Sequence, residues 1–522
     1  MTDRTKRPLA LVILDGWGYS PRQEGNAIAL AHTPYYDEIR EKYPMTLLAA
    51  SGTRVGLAPD APGSSEVGHL SIGAGRIVKT DVSRISDAIR SGSFFRNGVL
   101  KNAFDAARSR NGAVHLIGLM SDGEIHSSPE TLFALLRMAK REGLTDVFVH
   151  GILDGRDVMQ RTADIYAEAV EIKMADIGIG KLATLCGRYY AMDRDANWDR
   201  TVRTYTMLVH GEGERALDAV SAIRSSFLRG ITDEFIQPIV LERDSGEPVA
   251  TIRNGDVVIF FNHRGDRMRQ IVRAISIPDE TGNPALTKPL IDTVCLTEYD
   301  RTFRVPVAFR PEREERTLAE VFAENGVKNA RIGESDKYAH ITYFLNGGVE
   351  NALHGEQRLM LPSLKRTAVE TTPEMSCFKV TDSLLNSIDE AQSDVFIVNI
   401  AAPDAVAHSG NLRKTIESVQ YVDTCLGGIL EKIRETNGVA IVTSDHGNIE
   451  EMTDVVTGAI NNSHTSNQVP FHLIDESAAD VKLRSDGALQ DVAPTILGIL
   501  GIEKPPEMTG TDLRQKSPNR ER

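Results

Sequence analysis

LALVILDGWG occupies residues 9–18 and brings an apolar run, Leu9 to Leu14, directly to Asp15. Continuous apolarity over a strand length is typical of a strand covered on both faces, as in a parallel sheet between helices. Two later stretches repeat the pattern, VFIVNIAAPD at 395–404 and VAIVTSDHGN at 439–448. Because open α/β sheets bind ligands beyond the carboxyl ends of their strands, we expect Asp15, Asp404 and Asp445 to converge.

Strand and helix patterns also alternate in the middle of the chain. A strand at 114–119, a helix near 129–141, a strand at 146–150 and a helix near 163–175 predict a second α/β region. The simplest arrangement inserts this region into the first, with crossings near 77–84 and 300–314. We therefore expect an α/β protein with a mostly parallel sheet flanked by helices, formed by residues 1–80 and 313–522, and an inserted second α/β domain at 81–312.

Composition excludes several classes of partner. The 522 residues carry a formal net charge of −14, which disfavours binding to nucleic acid or an anionic membrane surface. The four cysteines form no CxxC pair, so neither a disulfide framework nor a thiolate metal site is indicated. No apolar run approaches the roughly 20 residues that span a membrane. We expect a cytoplasmic protein.

Histidines accompany the aspartates at spacings that suit metal binding. Asp404 and His408 are four residues apart, as on one face of a helical turn, and His446 follows Asp445 directly. His464 lies in a polar loop just before an apolar segment. With Asp15 these side chains provide six ligands, enough for two divalent ions. Two-metal sites suit phosphoryl transfer, because the ions can activate a nucleophile and clamp the transferring group.

A nucleophile for such a site is offered by PGSSEVGHLSIGAGR at 62–76. Its glycines predict a loop whose backbone approaches a phosphate closely, with Ser64 and Ser65 presented on it. A classical serine triad is less attractive, because the chain has no GxSxG motif.

Arginines are unusually dense in the middle of the chain. They occur in DGRD at 154–157, GRYYAMDRD at 187–195 and FNHRGDR at 261–267, and GESDKYAH at 333–340 adds Lys337. Arginine pairs with carboxylate and phosphate oxygens through parallel hydrogen bonds. The cluster therefore suits a small, doubly anionic substrate.

Taken together, these blocks resemble the signature of the cofactor-independent phosphoglycerate mutases. DGWG, SSEVGH, DGRD, GRYYAMDRD, KYAHITYFLNGG, PDAVAHSG, TSDHGN and SHTSNQVPF occur in order and cover nearly the whole chain. The resemblance implies an alkaline-phosphatase-like domain with an inserted substrate-binding domain. It also implies interconversion of 3- and 2-phosphoglycerate through a phosphoserine, without 2,3-bisphosphoglycerate, by a monomer.

The resemblance assigns roles residue by residue. The nucleophile falls on Ser65. One metal ion would take Asp404, His408 and His464, and the other would take Asp15, Ser65, Asp445 and His446. The metal would be manganese, with magnesium, zinc or cobalt as alternatives. The implied substrate contacts are His126, Arg156, Asp157, Arg188, Arg194, Arg264, Arg267 and Lys337, with Asp157 moving a proton between the two hydroxyl groups.

Some positions depart from the family pattern. His263 and Gly265 replace Phe and Pro between two of the arginines, Glu124 and Ser128 alter DGGVHSH, and Ala402 replaces an Asn. We expect Gly265 to loosen the arginine loop and Glu124 to bring negative charge towards an anion site. Two alternatives therefore stay open: a related mutase or phosphatase acting on another phosphorylated or phosphonylated hydroxy acid, and a silent binding paralogue.

Overall fold

The computed structural model describes residues 7–287, 289–311, 313–364, 371–454, 457–478 and 481–515. The chain divides into two compact units: unit 1 comprises residues 1–80 and 313–522, and unit 2 comprises Asp81–Glu312.

The strands are β1 (Leu9–Leu14), β2 (Met45–Leu48), β3 (Val114–Leu119), β4 (Val147–Leu153), β5 (Lys181–Gly187), β6 (Glu214–Ala216), β7 (Ile239–Leu241), β8 (Val257–Phe260), β9 (Asp292–Thr297), β10 (Val307–Phe309), β11 (Asn329–Glu334), β12 (Glu356–Leu361), β13 (Val395–Ile400), β14 (Val439–Thr443) and β15 (Val469–Ile474). The α-helices are α1 (Ala27–Leu30), α2 (Pro34–Lys42), α3 (Ser65–Ala74), α4 (Asp81–Ser91), α5 (Gly98–Arg110), α6 (Pro129–Arg141), α7 (Ala163–Ile177), α8 (Arg188–Ala191), α9 (Trp198–His210), α10 (Ala219–Leu228), α11 (Arg269–Ser276), α12 (Leu318–Glu324), α13 (Cys377–Asp389), α14 (Ala402–Ala407), α15 (Leu412–Glu435) and α16 (Val492–Leu500).

The sheet of unit 1 has the order β12-β11-β13-β1-β14-β15-β2. Its strands are parallel except at β15, which pairs antiparallel with both β14 and β2. Leu9 is in register with both Val395 and Val439, so the three strands that precede the aspartates are neighbours. The expected fold class, a mostly parallel sheet flanked by helices with a second α/β unit, is confirmed.

Both faces of the unit 1 sheet are buried, which explains its continuous apolar runs. Along β1, Leu9, Leu11 and Ile13 belong to one core, which includes residues of α3, α12 and α16. The alternate residues of β1 belong to another core, which includes residues of α13 and α15. Since side chains alternate across a strand, an apolar residue is needed at every position.

Unit 2 forms its own sheet, with the order β10-β9-β8-β3-β4-β5-β7-β6. It is parallel except between β5 and β7. The predicted strand, helix, strand, helix alternation in this region is confirmed by β3, α6, β4 and α7. Among the described residues of the whole chain, no helix has the length and apolarity to cross a membrane.

Candidate active site

The three aspartates of unit 1 lie where the sequence predicts, at the carboxyl ends of adjacent parallel strands. Asp15 follows β1, Asp445 follows β14 by one residue, and Asp404 lies in the first turn of α14 beyond β13. Each is at most 2% exposed. Buried carboxylates are costly unless they are paired or bind cations, so this edge of the sheet is built to hold positive charge.

Ser65 is the first residue of α3 and is buried beside these aspartates. Its Oγ lies 2.8 Å from His446 Nε2 and 3.5 Å from Asp15 Oδ1. The expected glycine-rich loop is wrong, because Gly68 and Gly73 lie inside α3. A Cβ at Gly68 would meet the Asp445 carbonyl oxygen at 2.4 Å, so this glycine permits close helix packing rather than phosphate contact.

Three histidines surround Asp404. His408 Nε2 and His464 Nε2 are each 3.5 Å from its carboxylate, and the His446 and His464 rings stack with centroids 3.7 Å apart. His408 and His464 turn Nδ1 to backbone carbonyl oxygens, those of Asn462 and Gly63. Fixing one ring nitrogen in this way is typical of histidines that bind metal through the other.

The charges of this cluster shift its pKa values strongly. Burial alone would lower the pKa of His446, but the Asp445 carboxylate and the other acidic neighbours raise it to about 9. For His464, burial and the neighbouring His446 lower the pKa to about 4. Burial opposes ionisation of Asp404, yet Lys337 and His408 hold its pKa well below the usual range. The site therefore combines anionic carboxylates with imidazoles of unlike basicity.

The donor set fits divalent cations. Ligand atoms of Asp404, His446 and His464 lie within 4.8 Å of one another, and so do those of Asp15, His69 and Asp445. Asp445 Oδ2 is buried and, among the described residues, accepts no hydrogen bond. Carboxylate and imidazole together suit manganese, zinc or cobalt, and carboxylate suits magnesium. These two groups share most of their members with the ligand sets that the resemblance implies. They differ in two ways: His446 is grouped with Asp404 and His464, and His69 is grouped with Asp15 and Asp445.

Lys337, which the family resemblance implies as a substrate contact, lies among the aspartates of unit 1. It follows β11, and its Nζ lies 2.6 Å from Asp15 Oδ1, 3.0 Å from Asp404 Oδ2 and 2.9 Å from Ser65 Oγ. Burial disfavours the charged ammonium, but the surrounding aspartates raise the pKa of Lys337. A permanent positive charge therefore lies next to the serine hydroxyl.

Sequence reasoning missed several polar residues that hold the aspartates. Asn399 Nδ2 donates to Asp15 Oδ2 at 2.7 Å, and Asn448 Nδ2 donates to Asp404 Oδ1 at 2.8 Å. His69 Nδ1 lies 2.8 Å from the Ser65 carbonyl oxygen and 3.3 Å from Asp445 Oδ2. His69 and Asn448 lie within the motifs SSEVGH and TSDHGN, and Asn399 interrupts the apolar run Val395–Ile400. The available signal was therefore a polar residue inside a motif or inside a buried strand.

In unit 2 the predicted arginines gather at the carboxyl edge of the sheet. Arg156 follows β4, Arg188 opens α8 directly after β5, and Arg267 lies in the loop after β8. These three and Arg194 help to line a cavity of about 250 Å³. Burial and the neighbouring arginines lower the pKa of Arg267, which indicates crowded positive charge. The cavity is suited to an anion.

The remaining predicted contacts of unit 2 form an acid–base network. Arg188 Nη1 lies 2.7 Å from Asp157 Oδ2, and His126 Nε2 lies 3.8 Å from the same oxygen. Burial and Arg188 lower the pKa of His126 to about 3, so the ring is neutral at pH 7. Asp266, which the sequence analysis did not select, accepts from Arg194 at 2.8 Å and from Arg264 at 3.1 Å.

The residues that depart from the family pattern fit their surroundings in the structure. His263 is buried, and its Nε2 lies 3.1 Å from the Glu124 backbone oxygen, so two of the departures touch each other. A Cβ at Gly265 would come within 2.7 Å of Tyr299 Cα, which makes this residue a tight packing position. The expectation that Gly265 loosens the arginine loop is therefore wrong. The Glu124 side chain is exposed. Ser128 is at the N-cap position of α6 without a side-chain capping hydrogen bond, and Ala402 is buried at the start of α14.

Comparison with known proteins gives similarity along nearly the full length. The family model described as BPG-independent PGAM N-terminus matches residues 85–301. The 2,3-bisphosphoglycerate-independent phosphoglycerate mutase of Desulforudis audaxviator is 50% identical, over 97% of this chain and 99% of that protein. The protein of that name from Moorella thermoacetica is 49% identical, over 98% and 99%. A crystal structure of Leishmania mexicana phosphoglycerate mutase at low cobalt concentration matches with a TM-score of 0.77 at 28% identity, covering 99% of both chains.

Proposed function

Since this chain belongs to the 2,3-bisphosphoglycerate-independent phosphoglycerate mutases, we propose that it interconverts 3-phosphoglycerate and 2-phosphoglycerate through a phosphoserine at Ser65. One observation carries the proposal: a buried serine hydroxyl lies among three aspartates, three histidines and a lysine at one sheet edge. These are the groups that activate an oxygen nucleophile and bind a phosphoryl group.

The position of Ser65 favours a covalent phosphate. As the first residue of α3, it lies where backbone N–H groups lack helical partners and the helix dipole is positive. Phosphate is well accommodated at such a terminus. The Lys337 ammonium beside Oγ adds a full positive charge. Both features stabilise the transferring group in its anionic form.

The metal ligands we propose are those implied by the family. Asp404, His408 and His464 would hold one divalent ion, and Asp15, Ser65, Asp445 and His446 the other, with manganese preferred over magnesium, zinc or cobalt. Ions held there would supply positive charge that favours loss of the serine proton and offsets the charge of the phosphoryl group. Catalysis would not need 2,3-bisphosphoglycerate.

The transfer proceeds in two matched steps. The Ser65 oxygen forms a bond to phosphorus as the bond between phosphorus and the C3 oxygen of the substrate breaks, which leaves glycerate. Asp157 moves a proton between the two hydroxyl groups of glycerate. The C2 oxygen then forms a bond to phosphorus as the bond from phosphorus to Ser65 Oγ breaks, so Ser65 is returned as the deprotonated oxygen that entered the first step. The contact of Asp157 with Arg188, at 2.7 Å, supports this role because it keeps the carboxylate charged and oriented.

The arginine cluster of unit 2 is proposed to bind the substrate. His126, Arg156, Arg188, Arg194, Arg264 and Arg267 would meet its phosphate and carboxylate, and a neutral His126 can accept or donate a hydrogen bond. The formal net charge of −14 disfavours an extended anionic partner and so supports a small anionic substrate bound by a local arginine cluster. We propose a cytoplasmic monomer that binds neither nucleic acid nor membrane.

The deciding experiment is turnover of 3-phosphoglycerate by manganese-loaded protein without 2,3-bisphosphoglycerate, with 2-phosphoglycerate and free phosphate measured together. Rapid isomerisation with little free phosphate is expected, and chelation should abolish it. Predominant phosphate release, or turnover only of another phosphorylated or phosphonylated hydroxy acid, would replace this function with the alternative. Absence of both metal binding and turnover would instead indicate a silent paralogue.

A further inference from the structure

A buried carboxylate outside the proposed ligand set lies behind the metal-binding edge of unit 1. Glu450 is 1% exposed, and none of the roles proposed above uses it. Among the described residues it has no ion-pair partner, yet it accepts hydrogen bonds from several donors. A buried anion that is satisfied only by neutral donors is expensive to place, so its retention needs a reason.

The donors to Glu450 come from three different loops. Oε2 accepts from the Gly18 backbone N–H at 3.1 Å and from the Asn448 backbone N–H at 2.8 Å. Oε1 accepts from the Thr465 hydroxyl and from Asn467 Nδ2, the latter at 2.9 Å. Each loop carries proposed ligands: Asp15 precedes Gly18, Asp445 and His446 precede Asn448, and His464 precedes Thr465.

The backbone is shaped to fit this carboxylate. A Cβ at Gly18 would lie 2.2 Å from Glu450 Cδ, and a Cβ at Gly447 would lie 2.5 Å from Oε1. Any side chain at either glycine would therefore displace the carboxylate or the loop. Gly18 and Gly447 thus bring the backbone as close to the Glu450 carboxylate as a polypeptide allows. This close packing is a second observation, separate from the hydrogen bonds, that the loops are shaped around Glu450.

We infer that Glu450 is a positioning residue, which joins the loops bearing Asp15, Asp445 with His446, and His464 and sets the geometry with which they hold divalent ions. The inference rests on the proposed function only for the identity of the ligands. A charged carboxylate is required, because it accepts at both oxygens. The amide of a glutamine would turn an NH₂ group towards backbone N–H donors in one orientation or towards Asn467 in the other.

The test compares Glu450→Gln with Glu451→Gln in the full-length protein. Glu451 is the matched control, since its carboxylate also accepts from Asn467 of the His464 loop, at 3.1 Å. The hydrogen bonds from Gly18, Asn448 and Thr465 go to Glu450 instead. Mn²⁺ affinity is measured by titration calorimetry, and ligand geometry is read from the visible absorption of the Co²⁺ form. We expect Glu450→Gln to weaken Mn²⁺ binding about tenfold or more and to alter the Co²⁺ spectrum, with Glu451→Gln within about twofold of the parent.

Equal Mn²⁺ affinity and an unchanged Co²⁺ spectrum in a folded Glu450→Gln protein would overturn the inference. Should that variant fail to fold, Thr465→Val and Thr465→Ser decide the matter, because only the first removes the hydroxyl that Glu450 accepts. Weaker Mn²⁺ binding by Thr465→Val than by Thr465→Ser supports the inference, and Mn²⁺ binding equal to that of the parent in both variants overturns it. Because these readouts need no substrate, a parent that binds Mn²⁺ normally without isomerising 3-phosphoglycerate would reject the proposed function alone.

Discussion

The Ser65 hydroxyl has two nitrogen neighbours of different kinds. His446 Nε2 lies at 2.8 Å and Lys337 Nζ at 2.9 Å. Because the pKa of His446 is raised to about 9, its ring is protonated at pH 7 when no ion is bound, and Nε2 donates to the hydroxyl oxygen as the Lys337 ammonium does. The two nitrogens therefore fix the orientation of the Ser65 hydroxyl. The proposed chemistry depends on this one oxygen atom.

Replacement of Ser65 by alanine should abolish isomerisation, lowering kcat by roughly 10³-fold or more, because no other oxygen takes the place of the nucleophile. Steady-state assay of 2-phosphoglycerate formation measures the change. Ser64→Ala is the control, since the Ser64 side chain makes no capping hydrogen bond to α3. Substantial turnover by Ser65→Ala, or equal losses in both variants, would remove Ser65 from its proposed role.

Glu334 ends β11, and its side chain is fully buried. Oε1 accepts from the Ser376 backbone N–H at 3.2 Å, while Oε2 has no hydrogen-bond partner among the described residues. Burial raises the pKa of Glu334 from 4.5 to about 7. The folded protein therefore binds more protons here than the unfolded chain between these two values, and its stability falls as the pH rises through this range.

Glu334→Gln should remove that dependence, because the amide stays neutral. Relative to the parent, the free energy of unfolding of the variant should rise by about 2–3 kcal/mol between pH 5 and pH 8. Melting temperatures of both proteins across this range measure the difference. A constant offset between the two curves would show that Glu334 titrates alike in the folded and unfolded states.

Single residues differ in how well sequence reasoning could find them. Asp15, Asp404 and Asp445 were predictable because each follows a recognisable buried strand. Asn399, Asn448 and Glu450 were not, because their importance comes from bonds to loops that are distant in sequence. Polar residues of this kind become visible only when the partners are known.

Helix α3 shows how an element depends on one glycine. A Cβ at Gly73 would lie 1.9 Å from the Leu345 carbonyl oxygen, and that oxygen belongs to backbone that cannot rotate away. The helix therefore packs directly on the chain that follows the π-helical turn His340–Phe344. Because Ser65 begins the same helix, this contact fixes the nucleophile along the helix axis.

Gly73→Ala should destabilise unit 1 by roughly 3 kcal/mol through overpacking and should also lower kcat by displacing Ser65. Gly428→Ala is the matched control in α15, where the nearest atom to a new Cβ is a Leu385 methyl at 3.8 Å. There the substitution should stabilise by roughly 0.5–1 kcal/mol, as expected for alanine in a helix. Denaturant unfolding and the mutase assay test both. Similar effects of the two substitutions would contradict the packing argument.

Elements were predictable where apolar periodicity was strong. The strands β1, β13 and β14 and the helix α15 agree with their patterns, since both faces or one stripe must be buried. The segment 62–76 was misread as a loop because glycine disfavours helices in isolation. Its glycines are explained by close approaches to Asp445 and Leu345, which no local pattern encodes.

At the scale of the whole molecule, each hydrophobic core lies within one of the two units. Among the residues that the structure describes, two cores contain residues of unit 2 only and two contain residues of unit 1 only. Unit 2 is also continuous in sequence, from Asp81 to Glu312. It therefore has the properties of a domain that can fold by itself.

A protein consisting of residues 81–312 should accordingly fold without unit 1. Cooperative thermal unfolding and a circular dichroism spectrum of mixed α/β type are the expected results. It should show no mutase activity, because Ser65 and the proposed metal ligands are absent from it. Noncooperative melting of this fragment would mean that unit 2 needs unit 1 to fold.

The central place of β1 has a consequence for synthesis on the ribosome. About 400 residues separate β1 from its neighbour β14, and at roughly 5–20 residues per second this interval lasts on the order of 20 to 80 s. During that time the inserted unit is complete, whereas the first 80 residues hold an apolar strand with neither of its partners. We therefore expect the beginning of the nascent chain to need chaperone protection more than its end. A translational stall well after residue 312 would hold on the ribosome a folded unit joined to an apolar, aggregation-prone strand.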